Sequence, residues 1–116
     1  MSRIGEYLES VFSLEGKIIL MTGAAGGLGA AMAEALAKAG GTVLIGDLAQ
    51  SPAKDLARRM TEDGLKAKAY DLDVTDTVQI KACVDAVIEE FGRIDVLINV
   101  AGINRREGIL DVAEST

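Results

Sequence analysis

Residues 17–29, with the sequence KIILMTGAAGGLG, constrain the fold of this chain more than any other stretch. Residues 18–21 are all apolar, as in a short strand that is buried on both faces. The glycines that follow predict a sharp turn, and from Leu28 onward the apolar spacing is helical. A strand, a glycine-rich turn and a helix can together hold a pyrophosphate, because the first helical turn offers N–H groups and a positive dipole end. The same pattern also fits a tight strand-to-helix turn that binds nothing.

The rest of the chain repeats this alternation of strand and helix. Strand signals recur at residues 42–46, 67–71 and 95–100, and the helical segments between them end at Gly40, Gly64 and Gly92. Short connections between such units predict an α/β fold, with a parallel sheet covered by helices on both faces. We expect four strands in the order 3-2-1-4, with ligands binding beyond their carboxyl ends.

The apolar spacing also predicts which side chains each helix buries. The predicted stripes are Leu28, Met32 and Leu36 in the first helix, Ala53, Leu56, Ala57 and Met60 in the second, and Ile80, Val84, Val87, Ile88 and Phe91 in the third. Ser51 followed by Pro52 predicts the start of the second helix, and Thr75 or Asp76 caps the third. Cys83 is expected just off the third stripe, in a packing role.

The chain is expected to form a single domain, residues 1–116, in which residues 1–15 are an N-terminal arm or helix. In residues 1–15 the apolar side chains Ile4, Tyr7, Leu8, Val11 and Phe12 recur at helical spacing, which predicts a short amphipathic helix that serves as a packing arm. Residues 103–116 are predicted to be a polar loop with the start of a further helix at residues 109–112.

Composition excludes several classes of function. The net charge of −6 argues against nucleic acid and anionic membranes as partners. No apolar run is long enough to span a bilayer, and the first 16 residues lack a secretory signal, so we predict a cytoplasmic protein. The single cysteine excludes an internal disulfide, and the absence of histidine removes the commonest general base and metal ligand. We therefore predict no metal site.

Polar or glycine-rich positions close each predicted strand, where a ligand of such a sheet would lie. After the glycine turn comes Asp47, at about the distance at which an acidic residue binds a ribose. A carboxylate there would accept hydrogen bonds from both ribose hydroxyls and repel a 2′-phosphate, which favours NAD over NADP; Leu48 supplies no cation for that phosphate. Asp73 and Val74 could present a carboxylate and an amide to an adenine, or could be ordinary turn residues. The fourth strand ends in Asn99-Val-Ala-Gly102.

Together these motifs resemble the cofactor-binding half of the short-chain dehydrogenase/reductases. The resemblance rests on Thr22-Gly-x-x-x-Gly27-x-Gly29, Asp47, Asp73-Val74 and Asn99-x-Ala101-Gly102, and it implies a Rossmann-type three-layer fold and NAD(P)-dependent oxidation of secondary alcohols or reduction of ketones. The cofactor-binding residues it implies are Thr22, Gly23, Gly27, Leu28, Gly29, Asp47, Leu48, Asp73, Val74, Asn99, Ala101 and Gly102. Residues 103–107 are also similar to the stretch that follows this motif in sugar-acid members such as gluconate 5-dehydrogenase.

The sequence departs from that family pattern in two ways. Val100 stands where the family usually has a second asparagine. We expect this difference to reduce stability locally and to leave cofactor binding intact. The family's chemistry also needs a tyrosine with a lysine four residues later, whereas the residues four after Tyr7 and Tyr70 are Val11 and Val74. We therefore assign no catalytic residue, and expect a truncated NAD-binding half that binds cofactor without turnover.

A second hypothesis is a non-catalytic assembly module. The fourth strand is predicted to be an exposed apolar edge that includes Val96, Leu97, Ile98 and Val100, and such an edge invites pairing with another copy or with a complementing chain. A third is a marginally stable remnant with no function of its own.

Overall fold

The structure is a computed structural model that describes residues 3–24 and 26–100. Its elements are α1 (Arg3–Phe12), β1 (Ile18–Thr22), α2 (Gly27–Lys38), β2 (Thr42–Asp47), α3 (Ala53–Glu62), β3 (Lys66–Asp71), α4 (Thr77–Phe91) and β4 (Val96–Asn99). The strands form one parallel sheet in the order β3-β2-β1-β4, which confirms the predicted class and strand order.

The strand register brings the four carboxyl ends to one edge of the sheet. Thr22 at the end of β1 pairs with Gly46 of β2 on one side and with Asn99 of β4 on the other. Asp47 pairs in turn with Asp71 at the end of β3. The segments that follow these strands therefore lie side by side, as the sequence predicts.

One face of the sheet, which we call the two-helix face, packs against α2 and α3. The strands contribute Ile19, Met21, Val43 and Ile45, all with no exposed surface. The helices meet them with small or flexible side chains, among them Ala33, Ala37, Leu56 and Met60. Small residues allow a helix to lie close to the strands, and burial of this much apolar surface is the main term that stabilises the fold.

The buried face of α2 is displaced from the predicted stripe. The residues that are buried are Gly29, Ala33 and Ala37, whereas Leu28 is exposed, and Met32 and Leu36 are half-buried at the margin. The small residues face the sheet because they let the helix approach it closely. The start of α3 also differs by one position, since Pro52 occupies the N-cap position and the Ser51 hydroxyl accepts a hydrogen bond from Ala53 N.

The opposite face, which we call the one-helix face, packs against α4. Its core consists of Ile18, Leu20, Leu44, Leu72, Cys83 and Val87. The predicted stripe of α4 is partly wrong here: Cys83 is buried, whereas Ile80 and Ile88 are exposed. The helix is turned so that Cys83 and Val87 meet the sheet, and burial in this apolar setting raises the pKa of the Cys83 thiol.

The amino-terminal helix forms as predicted, but its packing role is not seen. Its apolar side chains are exposed, with Ile4, Tyr7 and Phe12 each at least two-thirds accessible. The linker that follows is anchored to the sheet domain, because Leu14 N donates to Ala39 O and Thr42 N donates to Lys17 O. Among the described residues, no helix is both long enough and apolar enough to cross a membrane.

The prediction of an exposed apolar edge at β4 is wrong for Ile98 and Val100. Ile98 is half-buried against the core of the two-helix face. Val100 was expected on an exposed edge, but it is buried in the core of the two-helix face, and its N–H donates to Thr22 O at 2.9 Å. An apolar side chain is therefore well accommodated at this position. Leu97, by contrast, is 66% exposed on the one-helix face, as predicted.

Candidate functional site

The glycine-rich turn between β1 and α2 uses backbone conformations that favour glycine. Gly23 and Gly27 have φ values of 70° and 56°, in the left-handed region that side chains with a Cβ rarely adopt. Gly23 N donates to Gly46 O at 2.9 Å, which ties the start of the turn to β2. Gly26 is extended and forms the N-cap of α2 without a side-chain cap.

The glycines of this turn differ in the space around them. We call the side at Gly29, next to Ala24, the inner side, and the side at Gly26 and Gly27 the outer side. A Cβ on Gly29 would lie 2.8 Å from the Ala24 Cα, so this position requires glycine for α2 to lie against the end of β1. A Cβ on Gly26 or Gly27 would meet nothing within 4 Å. The outer side thus leaves the backbone at the start of α2 open to a ligand, and a helix N-terminus in such a position suits a phosphate group.

A cleft of about 270 Å³ lies beside the turn, and we call it the β2–β3 cleft. Its lining residues are Gly23, Asp47, Leu48, Leu72, Asp73, Val74 and Thr75. Five of them, Gly23, Asp47, Leu48, Asp73 and Val74, are residues that the sequence analysis singles out for cofactor binding. The fold therefore brings together the turn, the acidic end of β2 and the segment after β3.

The carboxylate of Asp47 is oriented by the backbone that follows it. Asp47 is half-buried at the last position of β2, and its Oδ1 accepts a hydrogen bond from Leu48 N at 2.8 Å. Its carbonyl oxygen accepts from Leu72 N at 2.7 Å, which fixes the distance between the ends of β2 and β3. An acidic group held in this way can accept hydrogen bonds from neighbouring hydroxyl groups.

Asp73 begins a hydrogen-bonded corner between β3 and α4. Its Oδ1 accepts two hydrogen bonds from Thr75, one from the backbone N at 2.9 Å and one from the hydroxyl at 2.7 Å. These bonds favour the ionised form and lower the pKa of Asp73 below its ordinary value. Asp76, the next acid along, caps α4 by accepting from Val78 N and Gln79 N.

At the other end of the sheet edge, Thr22 and Asn99 lie together on the one-helix face. Thr22 is the one buried polar side chain among the described residues, and its hydroxyl donates to Asn99 Oδ1 at 2.8 Å. Both residues line a second, largely apolar cleft of about 230 Å³ with Leu20, Leu72, Val74, Ile80, Cys83, Val84 and Leu97. We call this the β1–β4 cleft.

Of the predicted residues that the structure describes, three line neither cleft: Gly27, Leu28 and Gly29. Gly27 and Gly29 belong to the glycine-rich turn itself. Leu28 is exposed in the first turn of α2, and Ala101 and Gly102 lie outside the described residues. Sequence reasoning missed Leu72 and Thr75, although the order Asp73-Val-Thr75 is a typical Asx-turn signal that could have indicated the threonine. No group of three or more residues suited to a metal ion occurs in the part of the chain that the structure describes.

Two proteins of known activity resemble the chain over most of its length. It is 44% identical over 94 residues to the D-threitol dehydrogenase of Mycolicibacterium smegmatis, an alignment that covers 81% of this chain and 36% of that protein. It is 36% identical over 107 residues to the 5-keto-D-gluconate 5-reductase of Escherichia coli K12, covering 92% of this chain and 42% of that one. The chain therefore spans about two fifths or less of the length of these relatives.

The fold comparison agrees with the sequence comparison. A structure from Haemophilus influenza with bound NAD, assigned as a D-mannonate oxidoreductase, superposes with a TM-score of 0.75 at 34% identity, over 85% of this chain and 35% of that one. The family model described as short chain dehydrogenase matches residues 17–116, which begin at the entry to β1 and include every motif described above. The chain thus belongs to the short chain dehydrogenase family of oxidoreductases.

Proposed function

We propose that this chain binds NAD, in preference to NADP, along the carboxyl edge of its sheet. The observation that carries the proposal is the β2–β3 cleft, in which the glycine turn, Asp47 and Asp73 line one cavity. The pyrophosphate would lie against the turn of Gly23, Gly27 and Gly29, where the outer side of the backbone is open.

Asp47 would bind the adenosine ribose and select the cofactor. Its carboxylate can accept hydrogen bonds from the two ribose hydroxyls, and it would repel the negative charge of a 2′-phosphate. Asp73 and Val74 would meet the adenine edge, and Thr22 would hold Asn99 beside the nicotinamide side of the cofactor. When bound, the nicotinamide supplies a carbon that accepts or donates hydride.

We further propose that these 116 residues bind cofactor without turning over an alcohol on their own. Tyr70 is not placed for proton transfer, because burial and the neighbouring Glu90 raise its pKa to about 12, and its hydroxyl bonds to the Glu90 carboxylate at 3.2 Å. Neither tyrosine has a lysine four residues later to stabilise a phenolate. NADH formation by the pure chain with an alcohol would refute this part of the proposal.

The relatives support a proposal about the substrate class. D-threitol is a polyol and 5-keto-D-gluconate is a keto sugar acid, so we propose a secondary alcohol or ketone in a polyhydroxylated substrate.

The single cysteine, Cys83, is buried and free, which supports a reducing, cytoplasmic location.

Calorimetric titration of the full 116-residue chain with NAD and NADP tests the cofactor proposal. We expect saturable binding of NAD and weaker binding of NADP. Asp47→Ala should weaken NAD binding by roughly 10-fold or more, since hydrogen bonds to a charged group contribute about 1.5–3 kcal/mol, and should narrow the preference over NADP. Glu62→Ala, an exposed carboxylate on α3, is the matched control for the change in charge. A folded chain that binds neither dinucleotide would refute the proposal.

A second candidate function is assembly through β4. Leu97 is 66% exposed, and the β1–β4 cleft beside it is mainly apolar. Among the described strands, β4 stands at the end of the sheet, where a further strand could pair with it. A second copy or a complementing chain would fit this edge. Analytical ultracentrifugation over a wide concentration range tests the idea, because a strictly monomeric chain would exclude self-association.

A further inference from the structure

We propose that Thr75 and Gln79 are positioning residues, which hold the Asp73–Val74 corner in the conformation that recognises the adenine base. The inference rests on the proposed NAD binding and extends it to two residues that the family motifs do not include. Both would act through Asp73, and together they would determine how well the site distinguishes adenine from other purines.

Gln79 holds the backbone of the corner from the first turn of α4. Its Oε1 accepts a hydrogen bond from Asp73 N at 2.9 Å, six residues back along the chain. Its Nε2 donates to Asp76 Oδ2 at 3.3 Å, and Asp76 Oδ1 in turn accepts from Gln79 N. The Gln79 side chain thus ties Asp73 N to the cap of α4. The carbonyl oxygen of Asp73 accepts a hydrogen bond from Asp76 N at 3.0 Å, so the backbone of Asp73 is held on both sides.

Thr75 holds the side chain of the same corner. Its N–H and its hydroxyl both donate to Asp73 Oδ1, which fixes the direction of the carboxylate and keeps it ionised at neutral pH. A carboxylate can accept about four hydrogen bonds, so Asp73 retains capacity for a further donor. The 6-amino group of adenine is such a donor, whereas the corresponding carbonyl oxygen of hypoxanthine would be repelled.

The position of Gln79 separates a positioning role from direct binding. Asp73, Val74 and Thr75 line the β2–β3 cleft, where the adenosine would lie. Gln79 instead lines a neighbouring cleft of about 580 Å³, which also includes Asp73 and Leu48. Gln79 therefore contacts the corner from outside the β2–β3 cleft. Its loss would alter recognition of the base without removing a group that lines that cleft.

The test compares NAD with nicotinamide hypoxanthine dinucleotide, which differs only in the purine 6-substituent. Both are titrated calorimetrically into the unmodified chain, Gln79→Met and Thr75→Val, with Val78→Met as the control because Val78 is a neighbouring, exposed side chain in the same turn. We expect the unmodified chain and the control to bind NAD at least fivefold more tightly than the hypoxanthine analogue. In Gln79→Met and Thr75→Val the preference should fall to about twofold, mainly through weaker NAD binding.

The ratio of two affinities in one sample does not depend on the fraction of folded chain. A variant that lost both ligands equally would show that the residue only stabilises the cap of α4, and the inference would be wrong. An unchanged preference in both variants would also overturn it. If the unmodified chain binds neither dinucleotide, the proposed NAD binding itself is refuted. If it binds both dinucleotides equally well, the proposed NAD binding is supported, but recognition of the adenine base by this corner is refuted.

Discussion

The two faces of the sheet differ in how completely they are covered. On the two-helix face, Ile19, Met21, Val43 and Ile45 have no exposed surface. On the one-helix face, Leu20 and Leu44 are buried beneath α4, but Leu97 on β4 is 66% exposed and Ile80 is exposed on the adjacent helix. Both faces use the same alternating strands, so the difference arises from the helices and not from strand composition.

The two clefts differ in a similar way. The β2–β3 cleft is built where strand ends are closely tied by backbone and side-chain hydrogen bonds, such as Leu72 N to Asp47 O and the bonds around Asp73. The β1–β4 cleft is apolar and is bounded by the exposed Leu97, with the Thr22–Asn99 pair as its polar end. The residues at the proposed adenosine end are thus tied together by hydrogen bonds, whereas an exposed apolar side chain bounds the cleft at the proposed nicotinamide end.

The largest expected effect comes from removing a side chain of the two-helix face. Ile45→Ala should lower the free energy of unfolding by about 2–5 kcal/mol, because the cavity lies in a closed core. Leu97→Ala on the one-helix face should change it by no more than about 0.5 kcal/mol. Urea denaturation followed by circular dichroism measures both. A Leu97 variant as destabilised as the Ile45 variant would show that the one-helix face is covered in solution.

A smaller effect is expected at the turn, where backbone atoms limit the available space. Gly29→Ala should cost about 1–3 kcal/mol, since its Cβ would meet the Ala24 Cα at 2.8 Å and backbone atoms cannot move aside as a flexible side chain can. Gly26→Ser is the control, because that position is extended and open, and serine is a favourable N-cap. Thermal unfolding of the two variants checks the difference. Equal melting temperatures would mean that α2 can move away from the sheet at little cost.

The sequence allowed the strand order and the strand-end residues to be predicted because both depend on short-range patterns. Alternating strands and helices imply a parallel sheet, and the carboxyl ends of its strands must share an edge. Asp47 and Asp73 could therefore be placed near each other from the sequence alone. Glycine-rich spacing similarly indicated the turn at Gly23, since few other residues adopt its backbone conformation.

The orientation of helices and the contacts between side chains could not be predicted in the same way. The helix α4 carries apolar residues around most of its circumference, so spacing alone did not show that Cys83, and not Ile80 or Ile88, faces the sheet. The pairing of Thr22 with Asn99 and of Gln79 with Asp73 N depends on register and side-chain rotamers. Neither quantity is encoded in a local pattern of residues.

The smallest expected effect concerns how β4 is attached, and it depends on pH. Asp95 precedes β4, and its Oδ2 accepts hydrogen bonds from Ile18 N at 2.7 Å and from Arg93 Nε at 2.9 Å. The hydrogen bond from Ile18 N, and then the one from Arg93, lower the pKa of this carboxyl below its ordinary value. These hydrogen bonds therefore attach the start of β4 to the start of β1.

Because the folded pKa is depressed, Asp95 stabilises the fold at pH values above the unfolded value of about 3.9, and this stabilisation is lost as pH falls through the lower folded value. Asp95→Asn should thus lower the melting temperature at pH 7, and the difference from the unmodified chain should shrink below about pH 4. Asp85→Asn is the control: it removes an exposed carboxylate that pairs with the exposed Lys81, and it should change the melting temperature little at any pH. A difference in melting temperature between Asp95→Asn and the unmodified chain that stayed constant down to pH 2 would mean that the ionised form of Asp95 does not contribute to the attachment of β4, and the prediction would be wrong.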